Sequence, residues 1–156
     1  MPKGLRREIK QKRAFTSLEE EVSLSLLRTA DLLDQLLEGL LKPAGLSATQ
    51  YNVLRILRGA GPQGLTCGET SGRMLTHDPD MTRLFDRLEK RGMIQRQRES
   101  RDRRVVTACI TEDGLELLKR LDKPVRDLHR DCFAHILEKD LRTLQKLLER
   151  VRNTGK

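Results

Sequence analysis

Between Asp78 and Thr111 the hydrophobic period of the chain switches from helical to alternating, and this constrains the fold more than any other feature. Met81, Leu84, Phe85 and Leu88 fall at i, i+3, i+4 and i+7, while Thr82, Arg83, Asp86, Arg87 and Lys90 share the opposite face. Asp78 is placed to cap this helix, Pro79 suits its first position, and Gly92 stops it. Beyond it Ile94, then Val106, Ala108 and Ile110, alternate with Arg96, Arg98 and Thr107, the pattern of a hairpin with one solvated face. The hairpin loop is Glu99-Ser100-Arg101-Asp102-Arg103-Arg104. A helix with a basic outer face feeding a basic hairpin predicts a winged helix-turn-helix that reads duplex DNA.

Charge supports that reading. The 156 residues carry a formal net charge of +8, concentrated in two stretches. In residues 1–13, Lys3, Arg6, Arg7, Lys10, Lys12 and Arg13 face only Glu8, and residues 82–104 hold nine Lys and Arg against four acids. The remainder is slightly acidic, so the positive field lies where a phosphate backbone would be met. Aromatics make up 3% and Trp is absent, which leaves the core mainly to Leu and disfavours base stacking on single strands. No apolar run reaches the length of a membrane span and the N-terminus lacks the apolar core of a signal peptide, so a cytoplasmic protein is expected. Cys67, Cys109 and Cys132 lack CxxC spacing, against a disulfide framework.

The flanks read as long helices. Residues 1–14 form a basic, flexible tail, either a solvated terminus or an arm adding phosphate attraction. Ser17 with Glu20 forms a capping box opening a helix to about Lys42, ended by Pro43 and Gly45. Leu26, Leu27, Ala30, Leu33, Leu37, Leu40 and Leu41 make a stripe too wide for one contact, which implies self-association. Ser47 with Gln50 and Thr66 with Glu69 mark two further helix starts, the second opening the first helix of the helix-turn-helix, weakened by Gly68 and Gly72. Tyr51 reads as a core residue. Thr111 caps a long helix in which Pro124 should cause a kink or break, and Asp140 precedes a last amphipathic helix through Leu141, Leu144, Leu147, Leu148 and Val151.

Leu65-Thr66, Met81-Thr82-Arg83-Leu84, Asp86-Arg87-Leu88-Glu89-Lys90-Arg91-Gly92, Asp102-Arg103-Arg104, Ile110-Thr111 and Gly114 resemble the MarR family of bacterial transcriptional regulators, in register from about Leu46 to Leu121. The resemblance implies a mainly α fold with a small β-hairpin wing. It implies a winged helix-turn-helix over 46–111, dimerisation helices over 15–45 and 112–156, and an intertwined homodimer, all in one domain. The N-terminal part of the reading helix brings Pro79, Asp80, Thr82 and Arg83 nearest the bases. Arg83 would pair with a guanine and Thr82 would touch a thymine methyl; Asp80 would accept from a cytosine or only support the helix terminus. Arg87, Lys90 and Arg91 would meet phosphates or pair with Asp86 and Glu89. By its match to the family's Asp-x-Arg, Arg104 would enter the minor groove, Asp102 would orient a wing arginine, and Arg101 and Arg103 would flank the backbone.

The expected function is a sequence-specific transcriptional regulator, a repressor on a pseudo-palindromic operator. By resemblance, a small aromatic or anionic effector would release it. Two variants stay open. His129, Cys132 and His135, at steps of three, are candidate metal ligands, though the first two helices supply no His or Cys to complete a set. Cys67, in a first helical turn, and Cys109 are candidate redox sites. A non-specific architectural protein is the alternative class. No nucleophile–base pair, phosphate loop or resident cofactor motif is present, so no enzyme and no cofactor are expected.

Overall fold

The computed structural model describes residues 4–77, 80–98 and 105–153. Its elements follow in the order α1 (Leu5–Glu8), α2 (Leu18–Leu41), α3 (Ala48–Ala60), β1 (Leu65–Thr66), α4 (Cys67–Arg73), α5 (Met81–Lys90), β2 (Ile94–Arg98), β3 (Val106–Ile110), α6 (Glu112–Phe133) and α7 (Glu138–Arg152). The three strands form an antiparallel sheet in the order β1-β3-β2, with Leu65 opposite Ala108 and Arg96 opposite Ala108 on its other side. The hairpin was expected. The two-residue strand β1 is too short to leave a periodic signal.

Polar caps fix most helix boundaries. The Ser47 and Thr66 side chains accept from the backbone N–H groups of Gln50 and Glu69, whose own side chains return the bond, so both capping boxes form. At α2 only half of the box exists: Ser17 accepts from Glu20, but the Glu20 carboxylate turns to the backbone N–H and hydroxyl of Thr16, 2.6 Å from each. The recognition helix α5 is capped by Asp80, whose carboxylate accepts the Arg83 N–H at 3.1 Å, so regular helix begins at Met81. Asp78 and Pro79 lie outside the described residues. In α4 Thr70 is fully buried and donates its hydroxyl to the Thr66 carbonyl at 2.8 Å.

Three further elements show detail that the sequence did not carry. α6 runs unbroken through Pro124: Pro124 and Arg120, whose carbonyl loses its partner, both lie on the exposed side, where water can replace the missing N–H. α7 starts two residues before Asp140, with Leu137 at its cap and no side-chain capping bond. The basic N-terminal segment contains a helical turn whose Leu5 is buried, and Arg6 donates to the carbonyls of Gln11 and Lys12.

Except for Leu5, every buried residue among those described lies between Leu41 and Val125. Phe85 and Leu88 of α5, Val53, Leu54 and Leu57 of α3, Ile94 of β2 and Leu118 of α6 are its centre, each at 2% exposure or less. Each such side chain contributes roughly 1.5–3 kcal/mol of burial. α7 contributes no buried residue and α2 only Leu41. The α2 stripe expected to serve self-association turns partly inward, with Leu37 and Leu40 packed against the core, whereas Leu18, Val22, Leu27, Leu32 and Leu36 on α2, and Leu144, Leu147 and Val151 on α7, are exposed.

Candidate nucleic-acid interface

Burying Met81, Leu84, Phe85 and Leu88 leaves Thr82, Arg83, Asp86, Arg87 and Lys90 exposed on one side of α5. Arg83 is 70% exposed, and its Nε lies 3.2 Å from Asp80 Oδ2. Asp80 thus both caps the helix and holds the arginine that was expected to read a base. Arg87 and Lys90 form no ion pair among the described residues and project from the same face.

The acids of this face do not pair with their helical neighbours. Both are held by Arg96 of β2, whose Nη2 is 2.6 Å from Asp86 Oδ1 and 2.6 Å from Glu89 Oε2. Glu89 also accepts from the Arg96 backbone N–H at 3.1 Å and from Nε at 2.8 Å. These bonds hold the Glu89 carboxyl below the usual carboxylate range and raise the Arg96 guanidinium further. The result is a bracket that fixes the wing strand to the recognition helix and neutralises acids that would repel phosphate. Arg91 also departs from its expected role: its guanidinium donates to the carbonyls of Gly45 and Ala44. Neither contact follows the spacing of one helix or one strand, Arg96 reaching its acids across a turn and Arg91 reaching Gly45 across 46 residues.

β2 and β3 deliver the wing loop, with Arg98 opposite Val106 at its base. The loop itself, with Arg101, Asp102, Arg103 and Arg104, lies outside the described residues. The wing is set against α6 by Thr111, which accepts from the Gly114 N–H at 3.2 Å and donates its hydroxyl to the Gly92 carbonyl. A Cβ at Gly114 would stand 2.5 Å from the Met93 carbonyl, which accounts for glycine in the Thr-x-x-Gly signature.

Above this surface is a cavity of about 840 Å³ between α2, α3, α6 and the segment before α5. Leu33 and Leu37 of α2, Leu128 and Phe133 of α6, and Tyr51 of α3 give it apolar walls. Tyr51 is 5% exposed, so it is a core residue that also lines the cavity. The Arg55 guanidinium lies 5.9 Å from the centre of the Tyr51 ring and has no hydrogen bond or ion pair among the described residues. Asn52, buried beneath, accepts the Leu75 N–H at 2.9 Å, and Leu75 and Thr76 close the wall five residues before the recognition helix. Position along a helix gave no sign of this convergence.

The candidate metal and redox residues do not assemble. His129 and Cys132 line the cavity, but α6 ends at Phe133 and His135 falls in the following turn, so the steps of three leave the helix. Among the described residues no three His, Cys, Asp or Glu side chains are grouped to hold a metal ion. Burial pushes the Cys67 thiol up, against the weaker opposing pull of Arg96 and a hydrogen bond with Thr82, the reverse of what a reactive thiolate needs. Cys109 is half-buried and donates to the Pro62 carbonyl at 3.3 Å. No helix among the described residues is long and apolar enough to cross a membrane.

Comparison with known proteins gives the same architecture. The MarR family model matches residues 46–106. The multiple antibiotic resistance protein MarR of Salmonella typhimurium is 31% identical over 119 residues, 76% of this chain and 81% of the relative. A MarR transcription factor from Planctomyces limnophilus is similar in structure, with a TM-score of 0.67 and 40% identity over 87% of this chain and 98% of that one. A mutant MarR from E. coli complexed with operator DNA superimposes with a TM-score of 0.77 at 26% identity, covering 87% and 99% of the two chains. The chain belongs to the MarR family and is a DNA-binding transcriptional regulator.

Proposed function

We propose that the protein is a homodimeric repressor that binds a pseudo-palindromic operator through α5 and the wing and is released by a small aromatic anion. The observation that carries this reading is the division of the surface. One side of α5 is exposed and cationic, while α2 and α7 present apolar side chains that their own chain does not cover. On α2 the exposed Leu18, Val22, Leu32 and Leu36 lie on one line of alternating four- and three-residue steps, completed by Ser25 and Thr29. On α7 Leu137, Leu141, Leu144, Leu148 and Val151 do the same. Such seams are the pattern of helices that pack against helices of a second copy. Residues 15–45 and 112–156 then form the dimerisation region, and 46–111 the DNA-binding unit.

On the DNA, Arg83 and Thr82 approach base edges in the major groove, and Arg87 lies against phosphates. Arg104 enters the minor groove, Asp102 orients a wing arginine, and Arg101 and Arg103 flank the backbone. Asp80 shapes the helix entry, and Pro79 is among the residues that approach the bases. Two-fold symmetry puts the half-sites about one helical turn, ~34–36 Å, apart. The protein acts in the cytoplasm, where the operator is. The cavity supports this effector class: its apolar walls accept a ring, and Arg55, over the Tyr51 ring and without an ion pair among the described residues, offers a guanidinium to a carboxylate, while Asp31 and Asp34 also line the space.

Selection from random duplex DNA at physiological salt tests the reading. Enrichment of an inverted repeat supports it. Salt-sensitive binding without enrichment would favour a non-specific architectural protein.

A further inference from the structure

Two helix ends meet at Arg91. The recognition helix closes in a Schellman arrangement: the Gly92 N–H bonds to the Glu89 carbonyl at 2.8 Å and the Met93 N–H to the Leu88 carbonyl at 3.0 Å. The 3₁₀ turn of Lys42–Ala44 that ends α2 closes in the same way. There the Gly45 N–H bonds to the Lys42 carbonyl and the Leu46 N–H to the Leu41 carbonyl. A helix C-terminus leaves carbonyls without partners. At the end of α2, those of Ala44 and Gly45 are taken by one side chain from 46 residues away: Arg91 Nη2 lies 3.2 Å from Ala44 O and Nη1 2.5 Å from Gly45 O.

The local backbone is shaped for this contact. Gly45 has φ of +67°, a left-handed conformation. A Cβ there would stand 3.3 Å from Arg91 Nη2, so any side chain would crowd the guanidinium. Two donors on two successive carbonyls also define a direction, which a single ammonium cannot do. The arginine is exposed, and in sequence it continues the basic face of α5; its donors nevertheless turn back to the protein rather than outward.

We infer that Arg91 is a positioning residue that pins the end of the recognition helix to the end of the dimerisation helix α2, and so sets the half-site spacing a dimer can read. The inference rests on the dimeric, operator-binding reading given above. α2 carries an apolar seam for the second copy, and α5 carries the bases' reader. A tie between their ends limits rotation of one against the other. One base pair of spacing is ~3.4 Å along the duplex, a displacement that a small change of angle produces at the far end of α5.

The test uses the full-length protein and the inverted repeat recovered by selection, with its natural spacer and with one base pair added or removed, each titrated over a range of salt. Arg91→Ala and Arg91→Lys are compared with wild type. The lysine keeps the charge and the reach but not the two-pronged donor, so it carries the test if the alanine variant does not fold. The wild type should favour its natural spacer at least about tenfold. Both variants should lower that ratio at least threefold, with the slope of log affinity against log salt unchanged. A phosphate ligand would behave oppositely. Its loss to alanine reduces the slope by about 0.9 per contact and leaves spacer preference intact, a result that overturns the inference. So does a spacer preference unaltered in both variants. A wild type indifferent to spacing overturns the dimeric reading, and this inference falls with it.

Discussion

Arg96 Nη2 and Glu89 Oε2 lie 2.6 Å apart, joining the middle of the wing strand β2 to the last turn of the recognition helix. The bond is charge-assisted and is reinforced by the Arg96 backbone N–H on the same carboxylate. Glu89 has a folded-state pKa below its ordinary value of 4.5. A depressed carboxylate stabilises the fold above its unfolded pKa, and this contribution is lost as pH falls through the folded one. The stability difference between wild type and Glu89→Gln should therefore be constant from pH 7 to about 5 and shrink below about 4.5. Urea unfolding across pH 7 to 3 measures it; a difference that grows on acidification would refute the bracket.

Arg83 is held by Asp80 at the N-terminal end of α5, the end that would enter a groove first in the proposed docking. Arg83→Ala should cost about 1–3 kcal/mol on the selected operator and relax preference at one position per half-site. Binding to a panel of single-base variants reads this directly. Equal weakening on every sequence would make Arg83 a phosphate ligand instead.

The legible part of the fold was what local chemistry writes into neighbouring residues. Met81, Leu84, Phe85 and Leu88 announced a buried helix face, the Ser47 and Thr66 boxes announced helix starts, and all are present. Three-dimensional convergence was not legible. Arg96 meets Glu89 across a helix-to-strand turn, and Arg91 meets Gly45 across 46 residues. Neither distance leaves a periodic trace. Arg91 was expected to meet phosphate or an acid of its own helix, and Arg96 to lie on a solvated hairpin face, whereas the fold uses both to hold its own parts together. Pro124 did not interrupt α6: it and Arg120, whose carbonyl it frees, both lie on the exposed side, where water can bond that carbonyl. In the cavity, Tyr51 was readable as buried, but Arg55, Leu37 and Leu128 come together only through the packing of three helices.

Arg55→Ala tests the cavity as an effector site. The side chain forms no ion pair among the described residues and loses only its contact over the Tyr51 ring, so its removal should change stability by no more than about 1 kcal/mol and leave operator affinity nearly unchanged. It should abolish or weaken at least tenfold the release of DNA by a substituted benzoate used as probe. Operator release measured by fluorescence anisotropy separates the two effects. A variant that responds to the probe as the wild type does would remove Arg55 from the site.

Leu144 tests the dimer. It is 39% exposed in a single chain and sits at the middle of the α7 seam, between Leu141 and Leu148. If a second copy covers that seam, Leu144→Glu loses the burial of a leucine and places a carboxylate in an apolar contact, once in each subunit. The lost burial alone is roughly 1.5 kcal/mol per subunit, about 3 kcal/mol per dimer, or more than a hundredfold in the dissociation constant. Because α7 has no buried residue of its own, the winged helix should remain folded in the variant. Sedimentation at micromolar concentration should therefore show a folded monomer with unaltered melting of its core. Operator affinity should fall towards that of one half-site, with the salt slope roughly halved as half of the phosphate contacts are lost. A variant that still sediments as a dimer would place the interface elsewhere on the chain and leave the exposed leucines of α7 without a partner.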